Sequence, residues 1–127
     1  MCRILLIEDT PIIREPLARL LKDEGFQVLA AGDGADAMIH LETQVVDLIL
    51  LDVMMPHMNG LTFLERVRAD DKLRHIPVIA VTGIADSGNL ARLRELGVKS
   101  ILHKVRFTFD ALLKEIHLQL AEQLESL

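Results

Sequence analysis

The chain has 127 residues, half of them hydrophobic and a quarter charged, a size and balance that fit one globular domain and exclude a disordered or low-complexity chain. Fourteen basic against nineteen acidic residues give a formal charge of -5, so no broad cationic surface is expected for nucleic acid or anionic lipid. Four phenylalanines with no Trp and no Tyr exclude the aromatic platforms of single-strand nucleic-acid binders, and the lone Cys2 excludes an internal disulfide.

Short apolar runs alternate with stretches of helical spacing along the whole chain. The first run, residues 3–7, is followed by Glu8-Asp9 and then by a helical pattern through Leu17, Leu20 and Leu21 that ends at Gly25. Pro11 suits a first helical position, whereas Pro16 inside a helix costs about 3 kcal/mol, so this helix is expected to be kinked or to begin near Arg14. The second run, 27–31, precedes a turn at Gly32-Asp33-Gly34. The third, 46–51, contains Leu48-Ile49-Leu50-Leu51, apolar at consecutive positions as in a strand buried on both faces of a parallel sheet, and Asp52 follows it. Leu61, Leu64 and Val67 then share a helical face. Pro77 opens the fourth run, 76–81, where its missing N–H is tolerated, and Thr82-Gly83 follow. A fourth helical stretch stops at Gly97, and the fifth run, 99–102, leads into His103-Lys104.

The last helix is expected after Asp110, with Phe109, Leu112, Leu113, Ile116, Leu120 and Leu124 on one stripe. Leu118 and Ala111 fall on the opposite side and read as ordinary surface, with a dimer or partner contact as the alternative. No linker or repeat divides the chain, so residues 1–127 are expected to form one domain. Five strands alternating with helices imply right-handed crossovers and a doubly wound, three-layer α/β/α parallel sheet, whose ligand site lies beyond the carboxyl ends of the strands.

At those ends the sequence places Glu8, Asp9, Asp52, Thr82 and Lys104. Three clustered carboxylates repel and take up protons unless a cation offsets them. Mg²⁺ suits such a set, because it prefers oxygen ligands and uses one or two carboxylates together with a phosphate oxygen. The chemistry this permits is attack of a carboxylate on a phosphoryl group, with Asp52 as nucleophile, Glu8 and Asp9 holding the metal, and Lys104 and the Thr82 hydroxyl meeting phosphoryl oxygens beside the open Gly83. The five histidines, His40, His57, His75, His103 and His117, lack ligand spacing and read as structural or surface groups. A flavin carrier is disfavoured because Glu8-Asp9 would repel the flavin phosphate, and the glycine-lysine motif of a P-loop enzyme is absent.

Taken in order, Glu8-Asp9, Gly32-Asp33-Gly34-Ala35, the run from Asp52-Val53-Met54-Met55-Pro56 to Asn59-Gly60, Thr82-Gly83 and Lys104 resemble the receiver domains of two-component response regulators, over the whole chain. The resemblance implies a flavodoxin-like fold with strand order 2-1-3-4-5. It also implies phosphoryl transfer to Asp52 from a histidine kinase or histidine phosphotransfer protein, and a downstream protein target. By the same likeness Asp9, Asp52 and the backbone carbonyl of Met54 would bind Mg²⁺, Glu8 would hold a metal-bound water, and Thr82 and Lys104 would contact the acyl phosphate. Such a chain is not an enzyme on other molecules but a phosphoacceptor that promotes its own phosphorylation and slow dephosphorylation. Slow loss fits the apolar Met54 and Ile84.

Two positions depart from the family pattern. Val105 stands where proline usually follows the lysine, which leaves a cis or a trans bond open, since cis costs about 2.5 to 4 kcal/mol at a non-proline residue. Ile101 stands where the family commonly carries a switching Tyr or Phe. Both departures raise the alternative of a non-switching interaction module on the same fold. No apolar run reaches the roughly 18 residues of a membrane helix and no secretion-signal pattern opens the chain. The expected protein is therefore cytoplasmic, a monomer or weak homodimer, with no direct contact to membrane or nucleic acid.

Overall fold

Segments that are apolar on both sides can leave neither face in water. In the computed structural model, which describes residues 2–53, 60–83, 87–104 and 106–125, they pair into one parallel sheet covered on both faces by helices. The elements alternate as β1 (Arg3–Ile7), α1 (Pro11–Asp23), β2 (Gln27–Ala31), α2 (Gly34–Thr43), β3 (Leu48–Asp52), α3 (Gly60–Ala69), β4 (Val78–Thr82), α4 (Ser87–Glu95), β5 (Ser100–His103) and α5 (Phe109–Glu125). The sheet order is β2-β1-β3-β4-β5, the flavodoxin-like order expected, with β1 and β3 paired at the point where the winding reverses.

Side chains alternate across the sheet with the pleat. Leu5, Ile7, Ile49, Leu51, Val78 and Ala80 pack against Ala37 and Leu41 of α2, Phe63, Leu64 and Val67 of α3, and Leu93 of α4. Ile4, Leu6, Leu48, Leu50, Ile79 and Val81 pack on the other face against Leu21 of α1 and Leu112 and Ile116 of α5. β3 and β4 are buried at every position, which accounts for their unbroken apolar runs.

Several boundaries differ from those read in the sequence. α1 starts at Pro11 and runs through Pro16. The bond lost at Pro16 is the one its N–H would have given to the Ile12 carbonyl, in a turn where Ile12 is 81% exposed and water can take its place. Val46 and Ile76 are buried by packing but precede the ladders, so their runs begin early. At the other ends, Asp52, Thr82 and His103 are the last residues of their strands rather than the first beyond them. α5 begins at Phe109, with Asp110 in its first turn. Its apolar stripe ends at Leu120, because Leu124 is 71% exposed and the polar Gln119 is buried. Gln119 is satisfied there by the Ser100 hydroxyl at 2.9 Å, which in turn donates to Glu115 at 2.6 Å, tying α5 to β5. Gly25 and Gly97 have φ of 99° and 81° and close α1 and α4 as left-handed caps.

Candidate metal and phosphoryl site

The pleat that sends Leu6 and Leu50 toward α1 and α5 sends Glu8 and Asp52 the same way at the carboxyl edge. Both are buried, at 4% and 2% exposure, and Asp9 is half-buried beside them. One ligand oxygen from each of Glu8, Asp9 and Asp52 lies within 4.8 Å of the others. An all-oxygen set at that spacing fits a hard divalent cation.

Lys104, just beyond β5, reaches back over this group. Its Nζ lies 2.9 Å from Asp52 Oδ2 and 3.4 Å from Glu8 Oε1. Its backbone N–H donates to the Thr82 carbonyl at 2.9 Å, so the β4 end that carries Thr82 also sets the base of the lysine. Burial works against the ammonium, but the Asp52 and Glu8 carboxylates outweigh it and raise its pKa. Glu8 is pushed up from 4.5 to about 7, first by burial and then by its hydrogen bond to and repulsion from Asp52. The Thr10 backbone N–H at 3.2 Å and the Lys104 charge pull the other way. One ammonium therefore does not fully offset the carboxylates, and the remaining repulsion and burial favour the protonated form of Glu8. An apolar cavity of about 150 Å³ adjoins it, walled by Ile13, Leu17, Leu50, Val81 and Phe107, and keeps its dielectric low.

Two glycines shape this edge in different ways. A side-chain carbon at Gly60 would meet the Val53 Cα at 2.8 Å and the Val53 carbonyl at 2.9 Å, so only glycine lets α3 start against the end of β3. At Gly83 such a carbon would meet nothing within 4 Å among the described residues next to Thr82. Arg14 of α1, not singled out in the sequence, also belongs here. Its Nη1 donates to the Glu8 backbone carbonyl at 2.8 Å, and a side chain at Gly32 would crowd it at 3.2 Å. An isolated arginine four residues into a helix carries no motif, so only the fold reveals it.

Glu8, Asp9, Asp52 and Lys104 are thus brought together. Thr82, 5% exposed, ends β4 one residue beyond Val81, the register partner of Asp52. Ile101 pairs with Ala80 and packs, partly buried, against the core on the α2, α3 and α4 side. Met54, Ile84 and Val105, and with Val105 the bond that follows Lys104, lie outside the described residues.

The sequence model of the response regulator receiver domain matches residues 4–117. The chain belongs to that family. This receiver domain is 32% identical over 101 residues to the polar-differentiation response regulator DivK of Brucella anthropi, a match that covers 80% of this chain and 82% of DivK. It is 34% identical over 103 residues to the CAI-1 autoinducer sensor kinase/phosphatase CqsS of Vibrio cholerae, covering 80% of this chain but 15% of that longer protein. Among solved structures, a CheY-like response regulator receiver domain protein from Methanospirillum hungatei superimposes with a TM-score of 0.92 at 26% identity, over 99% of this chain and 98% of the other. No helix among the described residues is long and apolar enough to cross a membrane.

Proposed function

We propose that this receiver domain accepts a phosphoryl group on Asp52 from a phosphohistidine of a histidine kinase or phosphotransfer protein, and that the modified domain presents an altered surface to a downstream protein. The observation that carries the reading is the Lys104 ammonium 2.9 Å from a buried Asp52 whose neighbours, Glu8 and Asp9, complete a divalent-cation ligand set. Glu8, Asp9 and Asp52 would hold Mg²⁺, joined by the Met54 carbonyl as the family resemblance implies. When bound, the ion neutralises charge on the phosphoryl oxygens.

The residues of the chain divide the remaining work. Asp52 is held at the strand end by the Val53 N–H, which donates to the Val81 carbonyl at 3.1 Å, and by the Gly60 contact behind it. One carboxylate oxygen of Asp52 forms the new bond to phosphorus as the bond to the donor imidazole breaks. Lys104 exchanges its partner from the Asp52 carboxylate to a phosphoryl oxygen, and the Thr82 hydroxyl donates to another. The open space at Gly83 leaves room for the group. The intact acid and lysine set argues against a non-switching interaction module. A histidine kinase or phosphotransfer partner implies a cytoplasmic protein acting as a phosphoacceptor rather than an enzyme.

Incubation with acetyl phosphate and Mg²⁺, followed by intact mass measurement, tests the reading. One phosphoryl adduct is expected on the parent and none on Asp52→Asn. An unmodified parent, or an equal adduct on Asp52→Asn, would overturn it.

A further inference from the structure

At the amino ends of β4 and β5, on the sheet edge opposite Asp52, an open cleft of about 500 Å³ lies between the ends of α3, α4 and α5. That volume is in the range of small-molecule sites. Its floor is Arg68, half-buried in the last turn of α3. Three backbone carbonyls orient the guanidinium: Leu96 accepts from Nε at 2.6 Å, and Arg74 and Ile76 accept from Nη1 at 2.8 Å each. Among the described residues no carboxylate pairs with Arg68, and neither N–H of Nη2 has a partner. Gly97 leaves Nη2 less covered, since a side-chain carbon there would lie in contact with it at 3.9 Å.

The other charges around the cleft are already matched. Lys99 pairs with Glu122 at 3.3 Å, Glu95 with Arg92 at 3.1 Å and Arg74 with Asp71 at 3.7 Å, which leaves Arg68 without an ion-pair partner among the described residues. Carbonyl dipoles and water can satisfy N–H donors but carry no formal charge, so a partly desolvated guanidinium gains most from an oxyanion. Burial pushes its pKa down, in keeping with an uncompensated cation.

We propose that this cleft binds a small oxyanion ligand, carboxylate or phosphoryl, with one of its oxygens on the free Arg68 Nη2 donors. The site is separate from the Asp52 edge and does not depend on phosphoryl transfer there.

The test is titration of the ¹⁵N-labelled full chain with citrate in one arm and inorganic phosphate in the other, at ionic strength held constant with sodium chloride. Saturable shifts of the Arg68 Nε–H and the Leu96 and Gly97 amide signals are expected, and the arm that saturates identifies the ligand class. Lys99→Glu, at an exposed rim position, should weaken that binding about tenfold by reversing one nearby charge. Arg68→Gln should abolish it, and if that variant loses its dispersed spectrum, Lys99→Glu alone decides. Non-saturating shifts in both arms, or an affinity unchanged by Lys99→Glu, would overturn the proposal. Shifts confined to the Asp52 edge would overturn it too, by assigning the anion to the phosphoryl site.

Discussion

Raising the pH of the metal-free domain from 4.5 to 7 should weaken it, because Glu8 titrates far later in the folded chain than in the unfolded one. Unfolded, the carboxyl loses its proton near 4.5; folded, it keeps it to about 7. Between those values the native state holds more protons, so stability is complete below the lower value and is lost as pH climbs through the upper one. At about 1.4 kcal/mol per pH unit, the gap corresponds to a loss of about 3 kcal/mol by neutral pH. Urea unfolding in EDTA measures it, followed by far-ultraviolet circular dichroism because the chain has no Trp or Tyr for fluorescence. Glu8→Gln mimics the protonated carboxyl at every pH. Parent and variant should agree near pH 4.5, and the variant should be more stable by about 3 kcal/mol near pH 7. Parallel profiles for the two proteins from pH 4.5 to 7 would refute the assignment of this proton to Glu8. Saturating Mg²⁺ should reverse the order, since a metal ligand must be deprotonated and only the parent can supply it.

Lys104→Met removes the cation between Asp52 and Glu8 and should cost about 1 to 3 kcal/mol in urea unfolding, while moving the Glu8 transition to still higher pH. With Thr82→Ala, it should uncouple phosphorylation from partner binding more than it unfolds the chain, read as phosphoryl adduct against pull-down of the cognate partner. Gly60→Ala drives a carbon into Val53 backbone that cannot yield, and should destabilise by about 1 to 3 kcal/mol and weaken Mg²⁺ binding in calorimetry. Gly83→Ala, which meets nothing within 4 Å among the described residues, should stay within about 0.5 kcal/mol of the parent.

The fold was legible because β3 and β4 are buried on both faces, which leaves short runs of consecutive apolar residues ending in an acid or a threonine, and their regular alternation with helical stretches marks them as strands. The same pattern misleads at the entry to each strand, where Val46 and Ile76 are apolar for packing rather than pairing. Gln119 shows the complementary failure. A polar residue between Ile116 and Leu120 reads as surface until Ser100, nineteen residues earlier, is found to satisfy it inside. At the site, Glu8, Asp9, Asp52 and Lys104 were readable from their places at strand ends, whereas Arg14 there, and Arg68 at the opposite sheet edge, act through backbone carbonyls. Any residue type can supply a carbonyl, so such contacts leave no trace in composition or spacing.

The charge count at the Asp52 edge bears directly on the proposed phosphoryl transfer. Glu8, Asp9 and Asp52 against Lys104 leave two negative charges when all are ionised, and an incoming phosphoryl group is itself an anion. A protein with only these four groups would repel what it is proposed to accept. Protonating Glu8 lowers the repulsion by one charge, but it also removes a ligand from the set that a divalent cation needs. Proton and metal would therefore compete for the same carboxylate. On the proposed reading, the buried position that raises the Glu8 pKa would couple anion uptake to the metal, because Mg²⁺ would displace the proton and its two positive charges would cancel the two negative ones before an anion approaches Asp52.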